Sequence, residues 1–385
     1  MSRFAGRTGP IRLGMVGGGK DAFIGAVHRI ASRMDGEFEL VAGALSSTPE
    51  RAQESGAALG LSPDRIYDDF EAMARREARL KDGIEAVAIV TPNHLHFAPA
   101  RAFLRRGIHV ICDKPMTATG AEAKKLAGEA EKSDALFVLT HNYSGYPMLR
   151  EARAMVAEGF IGRLRGVQVE YVQDWLATAV ETEGSKQAEW RTDPARSGAG
   201  GALGDIGTHA FHLAGFVAGE TPEAVSADIT SFVPGRTLDD DARAMLRYAS
   251  GAKGALWCSQ VAPGNENRLT LRLYGDKGGL EWSHEAPEHL IATPLGEAPR
   301  ILTRATAGPA ATRLQRVPPG HPEGYLEAFG NIYVEAARAI RARREGAALS
   351  SEVLVPGVAD GLAGVRFVEA CVASAGRDGK WTRLT

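Results

Sequence analysis

Ile11-Arg12-Leu13-Gly14-Met15-Val16-Gly17-Gly18-Gly19 is the stretch on which the fold turns. Ile11 to Val16 reads as a short apolar strand that runs straight into glycine. A helix follows, with Ala26, Val27, Ile30 and Met34 at helical spacing. Glycine at Gly17 and Gly19 lets the chain turn tightly. It also lets a pyrophosphate approach the helix N-terminus, where free N–H groups favour an anion. The third position of G-x-G-x-x-G is Ala22, and Gly25 comes three residues later, so the loop reads as longer than usual. Gly17, Gly19, Lys20, Ala22, Phe23 and Ile24 form the expected cradle. A lone glycine turn is weak evidence. Its place at the first strand of an alternating series gives it weight.

That series runs outward from the loop. Phe38–Leu45 is a second apolar run, and Thr48-Pro49 reads as a helix start with threonine capping. Ala86–Thr91, His109–Cys112 and Leu136–Thr140 are further strands; Pro99–Arg106 and Ala121–Ser133 are the helices between them. Strands alternating with helices imply a parallel sheet with right-handed crossovers. Near residue 160 the texture changes. Val167–Val172, Val225–Val233, Ala242–Tyr248, Gly254–Val261 and Leu269–Tyr274 are strands with few helices between them, and Ser250-Gly251 is a hairpin signal. A mainly antiparallel second sheet is expected. Residues 285–320, rich in Pro and Gly, read as loop. Helices over 322–345 and 356–375 close the chain. The expected domains are 10–142 for the cofactor and 143–385 for substrate and self-association, both closing helices included.

Size and composition agree. A chain of 385 residues suits two domains, given roughly 100–200 residues each. Hydrophobic residues at 44% supply a buried core, and a net charge of -2 gives no footing for a nucleic acid. Three scattered cysteines, Cys112, Cys258 and Cys371, argue against a disulfide scaffold or zinc site. The first ten residues read as a flexible lead without an apolar core. No stretch is long enough to span a membrane. A cytoplasmic protein with a small-molecule partner, and none in nucleic acid or membrane, is expected.

Candidate chemistry sits at strand ends, where open parallel sheets bind ligands. At the second strand's tip stand Ser46 and Ser47, with Arg51 on the next helix and no carboxylate. Serine with arginine suits a 2′-phosphate and hence NADP; equally, Ser46 serves ribose hydroxyls while Arg51 is solvated, so NAD and NADP both stay open. Thr91-Pro92-Asn93 with His96, Asp113-Lys114, and His141-Asn142-Tyr143 follow later strands. Further on comes Gly204-Asp205-Ile206-Gly207-Thr208-His209, then His212; in a helix, Asp205, His209 and His212 share a face. A metal on that face is not expected, since the cofactor signature already supplies the chemistry.

These motifs, in this order, resemble the glucose-fructose oxidoreductase / inositol dehydrogenase / MocA (Gfo/Idh/MocA) family over roughly residues 10–375. The resemblance rests on the glycine loop, Thr91-Pro92-Asn93, Asp113-Lys114-Pro115, Trp190-Arg191 and Gly204 to His209. It implies an α/β protein: an N-terminal Rossmann doubly wound parallel sheet, then a C-terminal α/β domain with a large open, mainly antiparallel sheet. It implies hydride transfer between NAD or NADP and a hydroxyl of a sugar, sugar derivative or inositol. The family's Glu-Lys-Pro appears here as Asp113-Lys114-Pro115, one methylene shorter, with a proline peptide that is often cis. By the same match Asp205 and His209 are active-site residues.

The expected roles follow. His209 is the base and Lys114 stabilises alkoxide charge, while Asp205 holds the substrate or biases its neighbours' charge. The expected cofactor set adds Ser46, Ser47, Arg51, Thr91, Pro92, Asn93, His96, Asp113, Lys114 and Asn142 to the glycine cradle. The expected substrate set is Lys114, His141, Tyr143, Trp175, Trp190, Arg191, Asp205, His209 and His321. His212 reads as a packing residue. Two rivals share these residues: a glycosidase working by transient oxidation, and a cofactor-binding sensor. An open sheet should expose an apolar patch, so a homodimer or homotetramer through it is expected.

Overall fold

The computed structural model describes residues 6–20 and 22–384. Residues 1–5 of the expected lead lie outside the described residues. The chain divides into two compact units. The first holds the described residues up to Thr117, then Ala121–Asn142 and Phe329–Leu362; the second holds Ala118–Gly120, Tyr143–Ala328 and the chain from Ala363 onward.

The first unit is built on β1 (Ile11–Gly17), β2 (Phe38–Ala44), β3 (Ala86–Val90), β4 (His109–Cys112) and β5 (Phe137–Leu139). All pair in parallel in the order β2-β1-β3-β4-β5. The order reverses beside β1, which makes the β1/β3 crevice the ligand site of this topology. Every residue of β3 and β4 is buried, as expected of strands covered on both faces. The intervening helices are α1 (Phe23–Arg33), α2 (Pro49–Ala58), α3 (Phe70–Glu77), α4 (Phe97–Leu104) and α5 (Gly120–Glu131). Helix α3 went unread in the sequence, although Asp69 caps it by accepting from the Ala72 amide. Thr48 precedes α2 in extended geometry, but its side chain makes no capping bond.

In the second unit α6 (Pro147–Ala157) and β6 (Leu164–Val172) come first. The short helices α7 (Lys186–Arg191) and α8 (Pro194–Ser197) lead to a π-helical turn, Leu203–Gly207, and α9 (Thr208–Ala218). Then follow β7 (Ala224–Thr230), β8 (Asp241–Arg247), β9 (Lys253–Ser259), β10 (Arg268–Gly275), β11 (Gly278–Ser283), β12 (His289–Pro294), β13 (Arg300–Thr303) and α10 (Pro309–Thr312). With β14 (Thr382–Arg383) they form one nine-stranded sheet, β13-β12-β11-β10-β6-β9-β8-β7-β14. Its pairs are antiparallel except β6 with β9. Three elements thus stand where a loop over 285–320 was expected. Leu290 and Ala292 of β12 are buried on alternate positions, a pattern too short to stand out among the prolines and glycines around it.

The closing helices are α11 (Tyr325–Glu345) and α12 (Val358–Ala375). The expectation placed both in the second domain, yet Phe329–Leu362 belongs to the first unit. Tyr333 is the reason: its ring meets Phe38 edge-on at 5.3 Å, and its hydroxyl lies 2.7 Å from His28 Nδ1. Arg341 pairs with Glu37, and Arg344 with buried Glu85. An amphipathic pattern marks a buried face but not which sheet buries it.

One face of the large sheet is covered by apolar packing from α6, α9 and the end of α12, as in the stacked pair Phe211–Phe367. The other face is open and more mixed than the apolar patch expected. Met245, Tyr274 and Ile301 are exposed on it, but among ion pairs such as Glu170–Arg272. A groove of about 440 Å³ crosses it, lined by Gln168, Arg243, Met245 and Trp257. Among the described residues no helix is long and apolar enough to cross a membrane.

Candidate active site

In the first unit the loop after β1 packs tightly on the start of α1. A Cβ on Gly25 would lie 2.4 Å from Gly18 Cα, so no side chain fits there. Gly25 therefore performs the close-packing role of the third glycine, one turn later than the usual spacing, while Ala22 is the N-cap of α1. Gly18 itself has φ of +70°. The Lys20 amide donates to Ser55 Oγ at 3.1 Å, and its ammonium pairs with Glu54 at 2.6 Å. Phe23 is exposed and Ile24 partly so. A glycine loop packed this closely on the start of a helix fits the pyrophosphate of a dinucleotide.

At the β2 tip Ser46 Oγ accepts from the Thr48 amide at 3.1 Å. Ser47 and Arg51 are exposed. The Lys20 ammonium holds the Glu54 carboxyl below its usual range, and Arg51 adds to the effect. At the β3 end Thr91 and Pro92 are partly exposed and Asn93 is buried. His96 was expected to touch the cofactor. Its ring is instead fully buried, with Nδ1 2.7 Å from the Pro115 carbonyl oxygen and Nε2 2.8 Å from that of Thr91. The ring thus spans two backbone segments.

Asp113 follows β4, and its Oδ1 accepts from the Thr140 hydroxyl at 2.9 Å. Lys114 is half-buried, and the Lys114–Pro115 peptide is cis. His141 and Asn142 are buried just past β5. His28, fully buried on α1, has its Nδ1 against Tyr333. Burial pushes its pKa down to about 4, with Asp113 opposing.

In the second unit the Gly-rich approach to the active-site motif has a steric cause. A Cβ on Gly201 would meet the Asp239 carbonyl oxygen at 2.1 Å. Asp239 also accepts from the Gly201 amide at 2.6 Å and the Leu203 amide at 2.7 Å, which fixes the turn carrying Asp205. Burial raises the Asp239 pKa to about 6, against the pull of those amides.

Asp205 stands in the π-helical turn, and His209 and His212 stand on α9. The wider turn offsets Asp205 from the simple helical face drawn from spacing alone. Asp205 Oδ2 accepts from Arg191 Nε at 3.2 Å and from Gln260 Nε2 at 3.0 Å. Gln260 also donates to Gln173 Oε1 at 3.2 Å, to which Trp175 Nε1 donates at 3.0 Å. Gln173 Nε2 and the Tyr171 hydroxyl both donate to Asn267 Oδ1, at 2.7 and 2.8 Å. Tyr171 and Tyr143 share a hydroxyl bond, and the Tyr143 ring meets His209 edge-on at 5.0 Å.

One polar array thus runs from Arg191 through Asp205 to Tyr143 beside His209. It gathers Tyr143, Trp175, Asp205, His209 and Arg191. Trp190 joins through the Arg191 guanidinium, 4.1 Å above its ring. Arg191, expected to contact the substrate, is committed to Asp205 and Gln187. His212 stacks on Phe216 as a packing residue. His321 is exposed, with Nδ1 3.1 Å from the Pro318 carbonyl oxygen, and it stands outside this array.

Gln260, Asn267 and Tyr171 were missed in the sequence. Their signal is topological. β6 and β9 run parallel with Val172 opposite Ser259, so Gln173 and Gln260 emerge together from the same end of the sheet.

The comparisons with known proteins agree with this architecture. Residues 11–152 match the oxidoreductase family, NAD-binding Rossmann fold, and residues 149–281 match the GFO/IDH/MocA C-terminal domain. The chain is 35% identical to the uncharacterized oxidoreductase YfiI of Bacillus subtilis, over 97% of each chain. An oxidoreductase from Sinorhizobium meliloti is 57% identical, with a TM-score of 0.89 covering 98% of this chain and 100% of that one. An inositol dehydrogenase homolog from Azotobacter vinelandii, solved with NADH and myo-inositol, is 37% identical, with a TM-score of 0.91 over 98% of each. The chain belongs to the Gfo/Idh/MocA family of NAD(P)-dependent oxidoreductases.

Proposed function

We propose that the chain oxidises a ring hydroxyl of a sugar or cyclic polyol, with NAD as hydride acceptor. The observation that carries this reading is the polar array of the second unit. Paired amides, each able to donate and accept, with the Asp205 carboxylate and the Trp175 and Trp190 faces, match a ring bearing adjacent hydroxyls. The relative solved with myo-inositol supports the substrate class. NAD is favoured because Glu54 already neutralises the Lys20 ammonium, which leaves the β2 tip with less positive charge for a 2′-phosphate.

His209 takes the hydroxyl proton as the general base. Lys114 supplies a cation that stabilises developing alkoxide charge. Asp205, held from two sides by Arg191 and Gln260, orients the ring by accepting from a neighbouring hydroxyl. The bound nicotinamide supplies the hydride acceptor. We extend the proposal to self-association through the open sheet face, for which Met245, Tyr274 and Ile301 provide apolar contact.

The test is a panel of sugars, inositols and anhydrosugars incubated with NAD or NADP and read at the nicotinamide absorbance. NADH formation with a neutral cyclic polyol is expected. Glycoside cleavage without net NADH would overturn the reading. Gel filtration giving a monomer would overturn the association.

A further inference from the structure

Lys114 is held on both sides by anchors that the reaction scheme does not use. Before it, the Asp113 amide donates to the Ile89 carbonyl at 2.9 Å, and the Asp113 carboxylate accepts from Thr140. After it, the Pro115 carbonyl oxygen lies 2.7 Å from His96 Nδ1. The other nitrogen of the same ring lies 2.8 Å from the Thr91 carbonyl oxygen, at the end of β3. The ring has no exposed surface. A neutral imidazole donates to one of these carbonyls, and a protonated one to both. Asp113, Lys114 and His28 are the titratable groups whose charge bears on it. A fully buried polar ring spanning two loops, each next to residues of the cofactor and lysine motifs, does more than fill space.

We propose that His96 is a positioning residue that braces the lysine turn against the Thr91 loop and so sets where the Lys114 ammonium is held. It touches neither cofactor nor substrate; it acts through the Pro115 and Thr91 carbonyls. The inference rests on the dehydrogenase reading for its kinetic consequence, and on geometry alone for the brace.

Two substitutions of the full chain test it. His96→Phe keeps a flat aromatic ring and removes both ring nitrogens. His96→Gln restores an N–H donor. Three readouts separate the roles: NADH affinity by fluorescence, kcat and KM with an alcohol the panel identifies, and amide hydrogen exchange of residues 113–117. For His96→Phe, kcat is expected to fall at least tenfold while the NADH Kd stays within threefold. Exchange at 113–117 should quicken at least tenfold, with β1 and β3 amides unchanged. His96→Gln should recover at least a third of the lost kcat and slow the exchange again.

The proposal is overturned by a His96→Phe enzyme with kcat within twofold of wild type, or by unchanged exchange at 113–117. It is also overturned by an NADH affinity that falls as far as kcat. Should His96→Phe fail to fold, His96→Gln decides. Wild-type protection at 113–117 with kcat retained supports the brace; the same protection with kcat down tenfold sinks it. If wild type oxidises no alcohol in the panel, the dehydrogenase reading fails, and the exchange comparison still tests the brace.

Discussion

The two sheets of this protein build their binding surfaces from different material. The first unit's sheet is parallel with its central strands buried on both faces, and the groups it offers the proposed dinucleotide are largely backbone: a glycine loop and helix N–H groups. The second unit's sheet is mostly antiparallel with one open face, and its array is almost wholly side chain: amides, phenols, a carboxylate and indoles. A pyrophosphate is the same in every dinucleotide, so backbone recognises it and tolerates little variation. A polyol is recognised by the pattern of its hydroxyls, which only particular side chains can match.

Substitutions in each sheet can break that contrast, and the largest effect belongs to Lys114. Lys114→Ala should lower kcat by about 10² to 10³, the loss seen when a charge-stabilising donor is removed. NADH binding should persist, since the cradle is untouched. Stopped-flow kinetics beside fluorescence titration checks this, and near wild-type turnover would remove Lys114 from the chemistry.

Next is the acid response of the first unit. His28 is depressed to about 4 in the fold, so its neutral form is the native one. The unfolded chain then binds more protons between about pH 4 and 6.5, and stability is lost as pH falls through that window, by on the order of 3 kcal/mol. Denaturation curves at pH 7 and 4.5 should therefore differ less for His28→Gln than for wild type. Equal differences would show that the buried imidazole is not the source.

Backbone recognition is probed by Gly25→Ala, which drives a methyl into Gly18. It should destabilise the protein by about 1–3 kcal/mol and weaken NADH binding, both through overpacking. Unaltered affinity in a calorimetric titration would deny Gly25 the role of third glycine.

The smallest effect tests the side-chain array. Gln260→Ala removes a donor that holds Asp205. Raised KM for the polyol and a fall in kcat/KM of about tenfold are expected, close to 1.4 kcal/mol. NADH affinity should not move. A loss shared equally by cofactor and substrate would contradict the division between the two sheets.

Much of the first unit was legible from residue order. Its strands are continuous apolar runs and its loop carries glycine, two signals that survive without knowledge of packing. The second unit was legible in outline only. Its interior strands alternate clearly, whereas β12 and β13 are short strands at one end of the sheet, hidden among prolines and glycines. Lys114, Asp205 and His209 stood out as motif members. Gln260 and Asn267 did not, because a lone amide in a strand or loop carries no mark until its partner is placed.

The sequence by itself determined the alternating strands and helices, the glycine turn at Gly17 to Gly19, and the family motifs around Lys114 and His209. These depend on local periodicity and on residue types at short spacing. Tertiary structure alone decided that Gly25 is the third glycine, that Phe329–Leu362 belongs with the first unit, and that His96 braces two carbonyls. It alone decided that Arg191 is committed to Asp205. The reason is common to all four. Each depends on which non-adjacent residue supplies the neighbouring atom, and residue type and spacing alone carry no record of that.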